Sequence, residues 1–156
     1  MSTENLVLGA GCFWGVEHHF SGIEGVLSAE VGYAGGITDN PSYEEICRKD
    51  TMHAEVVNIV FNSAEISRES LLQDFFMMHN PTTLNRQGPD VGTQYRSVIF
   101  YSNEHEKNIA LKAMQKAQEN YVSPIVTTLE PTATFWRAEE YHQQYFKKRG
   151  METGCH

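Results

Sequence analysis

The chain has 156 residues, of which 40% are hydrophobic, and a formal net charge of −8 at pH 7. This length predicts a single domain over residues 1–156. The negative charge argues against nucleic acid or an anionic membrane surface as a main partner. No apolar run is long enough to cross a bilayer, and no secretory signal is recognisable, so we expect a cytoplasmic protein with no membrane partner.

Strand and helix patterns alternate along the first half of the chain. NLVLGA predicts a strand, CFWGVEHHFSGI predicts a short helix, and VLSAEVGYAGG predicts a second strand that ends in a glycine turn. In NPSYEEICRKD, Asn40 precedes Pro41, and proline suits the first position of a helix. HAEVVNIVFN has closely spaced apolar residues and predicts a central strand.

The second half continues this alternation. SRESLLQDFFMMHN predicts an amphipathic helix with Ser67 and Ser70 as possible caps, and PTTLNRQGPDVGTQY predicts a long polar loop without periodicity. RSVIFYS predicts a strand, NEHEKNIALKAMQKAQENY the clearest helix, and IVTTLEPTATFWRA an edge strand or a bend at Pro131. EEYHQQYFKKRG predicts a final helix, followed from about residue 150 by a flexible tail. The order predicts an α/β fold with helices packed on a sheet in two or three layers.

The chain contains three cysteines, Cys12, Cys47 and Cys155. An odd number does not form a closed disulfide framework, and the spacings match no zinc motif, so we expect no metal. Cys12 follows a strand and two glycines and opens a helix. Unpaired N–H groups and the helix dipole at that position favour a thiolate. From position alone, a reactive thiol and a small buried hydrophobe are about equally expected.

Several other residues are candidates for chemistry. Phe13 and Trp14 are adjacent on a helix and point in different directions, so one or both can wall an apolar pocket, although both could be core. Glu55 enters an apolar strand; if it is buried, its pKa rises and it can act as an acid near neutral pH. Asp90 and Tyr95 lie in the long glycine-containing loop, and Tyr43 lies in the first turn of a helix.

Taken together, these segments resemble a family. GCFWG, VGYAGG, NPSYEEIC, HAEVV, RQGPDVGTQYRS and EEYHQQY occur in this order from about Leu6 to Tyr145. The chain is thereby similar to the type A peptide methionine sulfoxide reductases. The resemblance implies a two-layer α/β sandwich, a mixed sheet with helices packed on it around a ferredoxin-like plait core. It also implies reduction of methionine S-sulfoxide, free or in peptides and proteins, without a cofactor, as repair of oxidised proteins.

The resemblance also implies roles for the candidate residues. It makes Cys12 the nucleophile that becomes a sulfenic acid and Glu55 the proton donor to the sulfoxide oxygen. Tyr43 and Tyr95 hold that oxygen, and Asp90 belongs to the same polar network. Phe13 and Trp14 form the apolar wall for the methyl group; these residue types suit thiolate attack assisted by an acid.

The recycling step leaves alternatives open. A second thiol must condense with the sulfenic acid, and an external reductant, thioredoxin by family expectation, must open the disulfide. We assign the second thiol to Cys155 in the short tail TGCH, and we interpret Cys47, within a predicted helix, as mostly packing. Resolution by Cys47 or by an external thiol remains possible at this point.

Two functions from other classes compete with this interpretation. A thiol hydrolase or acyltransferase needs a histidine beside the sulfur of Cys12, and His18, His19 and His53 are available. A methionine-binding module would use the aromatic pocket for recognition only. His53, Glu139 and His142 match motif positions, and we expect them to support the fold rather than to catalyse.

Overall fold

The computed structural model describes residues 3–48 and 51–148. Eight strands lie within these ranges: β1 Thr3–Ala10, β2 Val26–Ala34, β3 Ala54–Asn62, β4 Arg86–Gln87, β5 Asp90–Val91, β6 Ser97–Tyr101, β7 Thr128–Pro131 and β8 Trp136–Arg137. The same ranges hold five α-helices: α1 Phe13–Ser21, α2 Tyr43–Arg48, α3 Arg68–Met78, α4 Glu104–Gln118 and α5 Tyr145–Lys148. Short 3-10 helices cover Thr93–Tyr95 and Glu140–His142.

One mixed sheet of six strands forms the centre of the fold, in the order β7-β6-β1-β3-β2-β8. The pairs are antiparallel except for β6 and β7, which run parallel. The inner four strands connect as β1-α1-β2-β3-α3-β6, which is the βαββαβ order of a ferredoxin-like plait. This arrangement confirms the expected mixed sheet with helices packed on it.

The central position predicted for the HAEVV strand is confirmed, because β3 pairs with β1 on one side and β2 on the other. Its residues alternate between the two faces of the sheet. Val57, Ile59 and Phe61 are fully buried in the main core with the apolar residues of α1 and α3. Val56 belongs to a smaller cluster on the opposite face. Both faces of this strand are therefore apolar, as in a sheet that is covered on both sides.

The helix starts differ in part from the sequence predictions. Pro41 is not the first helical residue of α2; instead Ser42 Oγ accepts a hydrogen bond from the N–H of Glu45 at 3.2 Å, and Glu45 Oε1 accepts from the N–H of Ser42 at 3.1 Å. This reciprocal pair is a capping box, and it outweighs the preference of proline for the first turn. In α3, Ser67 is the cap as predicted, whereas Ser70 donates its N–H to Ser67 Oγ and accepts the Ser67 hydroxyl at its own Oγ, each at 3.1 Å.

Two predictions for irregular segments were wrong in part. The long polar loop contains the short hairpin of β4 and β5, which is too short to produce periodicity in the sequence. The predicted final helix is limited to α5, because Gln144 has a φ of 55° and Gln143 is extended. The Gln143 side chain instead donates to the carbonyl of Val31 and accepts from the N–H of Val31, each at 3.0 Å. The edge position predicted around Pro131 is confirmed by β7.

Candidate active site

Cys12 lies at the junction between β1 and α1, where it is the N-cap residue of the helix. Gly11 before it has a φ of 93°, a backbone conformation that glycine adopts readily. A side chain at Gly9 would come within 2.9 Å of the Glu55 carbonyl oxygen, so only glycine allows β1 and β3 to approach this closely. The two glycines therefore bring the cysteine to the end of the central strand.

Cys12 is 8% exposed, and its sulfur is disulfide-bonded. Cys47, in contrast, is a free cysteine. The expected recycling residue Cys155 lies outside the described residues. Once reduced, a thiol at this N-cap position lies at the positive end of the helix dipole, which favours the thiolate.

Glu55 is buried near the start of β3, on the sheet face that carries α1. Its Oε1 accepts a hydrogen bond from the main-chain N–H of Phe13 at 3.1 Å. Its Oε2 is buried and finds no hydrogen-bond partner among the described residues. Burial raises the pKa of Glu55 to about 8, against the Phe13 hydrogen bond and with a further increase from the Asp90 charge. The side chain is thus mostly a neutral acid at pH 7, with one oxygen available.

Tyr43 is the first residue of α2, and two hydrogen-bonding arrangements fix its main chain. The Ser42 cap defines where the helix begins, and Glu139 Oε2 accepts the main-chain N–H of Tyr43 at 3.0 Å. Burial, followed by the negative charge of Glu55, raises the pKa of Tyr43. Its hydroxyl is therefore a neutral hydrogen-bond donor within the electrostatic range of the Glu55 carboxyl.

Cys47 lies one turn after Tyr43 on α2, and the two side chains are hydrogen-bonded. It is exposed rather than packed in the core, so the prediction that it serves packing was wrong. Of these two adjacent helix residues, only Ile46 is buried. Burial of part of the side chain and the charge of Glu55 raise the pKa of Cys47, although Tyr43 lowers it.

The loop after β4 supplies Asp90 and Tyr95. Gly92, with a φ of 149°, turns the chain out of β5, and its carbonyl accepts the N–H of Tyr95 at 3.0 Å. Burial, followed by Glu55, raises the pKa of Tyr95 to about 12. Asp90 interacts electrostatically with both Glu55 and Tyr95. Asp90 and Tyr95, both predicted from the sequence, thus interact with the Glu55 carboxyl, as Tyr43 does.

Phe13 and Trp14 occupy different environments, as their adjacent helix positions predict. Phe13 is fully buried in the main core, and its ring lies 5.6 Å from that of Tyr33. Trp14 is half-buried, and its ring is 6.4 Å from that of Tyr43. Trp14 Nε1–H donates to His142 Nδ1 at 2.9 Å. The indole therefore presents an aromatic surface beside the ring of Tyr43.

The segment after β8 contributes more to this site than the sequence indicated. Glu139 Oε1 accepts from the hydroxyl of Tyr33 at 3.0 Å, while its other oxygen holds Tyr43. The His142 ring lies against Phe13, Trp14 and Tyr43, with centroids 4.5 to 5.6 Å apart. Burial lowers the pKa of His142, which keeps the imidazole neutral as the acceptor for Trp14. EEYHQQY places Glu139, His142 and Tyr145 three residues apart. This spacing was the sequence feature that could have predicted their contribution to the site.

The three histidines proposed for a hydrolase are engaged elsewhere. His53 accepts the N–H of Gly36 at 3.0 Å and contacts the Thr38 carbonyl at 2.6 Å. His19 lies 3.4 Å from Asp74, and the ring of His18 packs edge-on against Phe146. These contacts do not support a histidine-activated thiol. Within residues 3–48 and 51–148, no group of three or more His, Cys, Asp and Glu side chains could hold a metal ion.

The arrangement joins a cysteine, a neutral buried acid, two hydroxyl donors and an aromatic wall. Such a set can reduce a polar oxide: the thiolate attacks, the acid protonates the oxygen, and the hydroxyls hold it. Within the described part of the chain, no helix is long and apolar enough to cross a membrane.

The chain is similar to known proteins over nearly its whole length. The family model for peptide methionine sulfoxide reductase matches residues 4–156. A protein of Acidobacterium capsulatum named peptide methionine sulfoxide reductase MsrA is 55% identical over 150 residues, which cover 95% of this chain and 96% of that protein. Mxr1 from Saccharomyces cerevisiae in reduced form superposes with a TM-score of 0.88 at 36% identity, over 98% of this chain and 89% of that one. Mxr1 in complex with Trx2 gives a TM-score of 0.64 at 28% identity, over 92% and 84%.

Proposed function

The chain belongs to the peptide methionine sulfoxide reductase family, and we propose from this premise that it reduces methionine S-sulfoxide at Cys12. The substrate is the free amino acid or a residue of an oxidised peptide or protein. One observation carries the proposal: Glu55, whose pKa is raised to about 8, has a buried oxygen without a partner among the described residues, beside the helix that Cys12 opens. A neutral acid at that position can donate a proton to the oxygen atom of a sulfoxide substrate.

The reductase step transfers one oxygen atom. The Cys12 thiolate attacks the sulfoxide, and the S–O bond to the methionine sulfur breaks as the oxygen passes to Cys12. Glu55 gives its proton to that oxygen. The products are methionine, reduced by two electrons, and a sulfenic acid on Cys12, oxidised by the same two electrons. The acid is needed because an unprotonated sulfoxide oxygen is a poor leaving group.

Tyr43 and Tyr95 stabilise the oxygen while its charge develops. Their raised pKa values keep both hydroxyls protonated, so each can donate. Donors that are already oriented stabilise a transition state without reorganising. Asp90 assists indirectly, because its charge favours the neutral form of Glu55.

Phe13 and Trp14 receive the methyl group bonded to the sulfoxide sulfur. The oxygen is held on the side of Glu55, and the rest of the side chain must leave toward solvent. A site that fixes three substituents at three places distinguishes the two configurations at sulfur. Such a site accepts one epimer, and from the resemblance to the type A reductases we infer that this is the S epimer and that the R epimer is excluded.

Cys155 is our proposed recycling residue, and a thioredoxin-type protein is the proposed reductant. Condensation of the Cys12 sulfenic acid with a second thiol yields a disulfide and water, and the reductant opens the disulfide by exchange. Cys47 is the less suitable candidate because its raised pKa leaves less of the reactive thiolate. The structural similarity to Mxr1 in its complex with Trx2 supports the choice of reductant.

The cytoplasm is the proposed location, with residues 1–156 acting as one catalytic domain. Cys47 is a free and exposed thiol, which suits a reducing compartment. Continuous supply of a dithiol reductant, which recycling requires, is also typical of that compartment.

The proposal is tested by turnover on the separated S and R epimers of N-acetylmethionine sulfoxide, with dithiothreitol as reductant. We expect methionine from the S epimer only, and none from a Cys12→Ser variant. Equal rates on both epimers would refute the assigned geometry. Turnover by Cys12→Ser would refute the assigned nucleophile.

A further inference from the structure

Glu17 is a buried carboxyl in α1 that takes no part in the reaction proposed above. Its residue is 2% exposed. Burial raises the pKa of Glu17, although a main-chain hydrogen bond and the charge of Lys148 act in the opposite direction. Burying such a group costs free energy unless hydrogen bonds compensate. The hydrogen-bond partners of Glu17 therefore indicate which part of the chain this side chain fixes in place.

Within residues 3–48 and 51–148, the hydrogen-bond donors to Glu17 belong to Gln144. Oε2 of Glu17 accepts the main-chain N–H of Gln144 at 2.9 Å and its Nε2 at 3.2 Å. Gln144 has a φ of 55°, which non-glycine residues adopt rarely. Its carbonyl accepts the N–H of Lys148 at 2.9 Å, so this residue precedes and starts α5. Glu17 thus stabilises an unfavourable backbone conformation at one defined place.

The residue after Gln144 packs on the proposed methyl wall. The Tyr145 and Trp14 rings are stacked, with centroids 3.8 Å apart and planes inclined by 6°. Trp14 and Glu17 are three residues apart in α1, so they lie on neighbouring positions of one helix face. The two side chains therefore contact consecutive residues of the same C-terminal segment.

We propose that Glu17 is a positioning residue for the reductase step, which through Gln144 and Tyr145 holds the Trp14 indole where it receives the methyl group. This inference rests on the role proposed above for Trp14. If Gln144 is released from Glu17, its backbone can leave the left-handed region, and Tyr145 moves with it. The indole then loses the ring that stacks on it at 3.8 Å and binds the sulfoxide less well.

The experiment measures kcat and KM for N-acetylmethionine S-sulfoxide with dithiothreitol in four variants: Glu17→Ala, Glu17→Gln, Tyr145→Ala and the double variant Glu17→Ala/Tyr145→Ala. We expect Glu17→Ala to raise KM by about tenfold, as for a lost buried hydrogen bond, with kcat nearly unchanged. Glu17→Gln keeps an oxygen that accepts from Gln144, so its KM should return most of the way to the wild-type value.

The double variant decides whether Glu17 acts through Tyr145. If it does, the double variant has a KM no higher than the worse single variant, because both changes remove one interaction. Multiplicative effects on KM would overturn the proposal. An unchanged KM in Tyr145→Ala would also overturn it, and this variant leaves Glu17 intact even if Glu17→Ala does not fold.

Glu106→Ala is the matched control. This carboxylate also accepts a main-chain N–H and a side-chain hydroxyl, both from Ser102 at 2.9 Å, but on α4. It should lose stability without a change in KM. A similar KM increase in this control would mean that the effect of Glu17 is general destabilisation. Failure of the wild type to reduce the S epimer would refute the proposed function itself, which is a separate outcome.

Discussion

The main-chain N–H of Phe13 donates to Glu55 Oε1 at 3.1 Å and so joins the first turn of α1 to the start of the central strand β3. This one bond sets which oxygen of Glu55 is the acceptor. The proton of the neutral acid consequently belongs on Oε2, the buried oxygen without a partner in the described ranges. The helix that carries Cys12 and the acid that serves it are thereby held in register.

Glu55→Gln should slow the first chemical step while the fold remains intact. The amide can still accept from Phe13 but cannot release a proton to the sulfoxide oxygen. General acid catalysis contributes typically about 100- to 10,000-fold, and we expect a loss in this range. Single-turnover release of methionine is the measurement, with the exposed Glu44→Gln on α2 as control. An unchanged rate would assign the proton to Tyr43, Tyr95 or water.

Glu55 should also make stability depend on pH. Its pKa is about 8 in the folded protein, against an ordinary value of 4.5, so between these values the folded state binds one proton more than the unfolded state. The free energy of unfolding should therefore fall as pH rises from about 5 to 8, by an amount on the order of a few kcal/mol. Chemical denaturation at several pH values measures this slope. The slope should largely disappear in Glu55→Gln; an identical slope in that variant would contradict the assignment.

The recycling assignment predicts different behaviour for two cysteine variants. Cys155→Ser should release one methionine per enzyme and then stop with thioredoxin, while a small dithiol restores turnover by attacking the sulfenic acid directly. Cys47→Ser should turn over nearly as the wild type, because its hydroxyl replaces the thiol beside Tyr43. If Cys47→Ser stops and Cys155→Ser cycles, the roles are reversed. If both cycle, an external thiol resolves the sulfenic acid.

Ser42→Ala should affect catalysis as well as stability. Removing the hydroxyl that caps α2 costs typically about 0.5–2 kcal/mol, and this helix begins with Tyr43. We expect a several-fold slower single-turnover release of methionine. Ser67→Ala removes the equivalent cap of α3, where Ser67 Oγ accepts the N–H of Ser70 at 3.1 Å, and should lower stability with no change in rate. Equal rates in the two variants would argue against a role for the α2 start.

The sequence predicts best where the pattern is local and long. The alternation of apolar residues in HAEVVNIVFN identified β3 as a central strand, and the Ser67 cap of α3 was also recognisable. The position of Cys12 at a helix start followed from the glycines before it. These features depend on residues close together in the chain.

The errors concern contacts between distant residues. Gln143 and Gln144 belong to a helical pattern, yet Gln143 bonds to Val31 and Gln144 to Glu17, more than 100 residues away. These hydrogen bonds outweigh the local helical preference of the segment. The part that Glu139 plays in holding Tyr43 was missed for the same reason, since their separation is 96 residues. Cys47 was misjudged because one helix turn carries too little pattern to show which side faces solvent.

The double hydrogen bond between the Gln143 amide and Val31 has a consequence for association between copies of the chain. Among the described residues, β2 pairs on its outer side with the two-residue strand β8, at Gly32 and Tyr33, and the N–H of Ala138 donates to the Val31 carbonyl at 3.0 Å. An open stretch of strand next to such a short partner offers its N–H and C=O groups to another chain, which is a common route to aggregation. The amide of Gln143 occupies both groups of Val31, as a neighbouring strand would. The Gln143 side chain, together with the main chain of Ala138, thereby closes the edge against intermolecular pairing at this position.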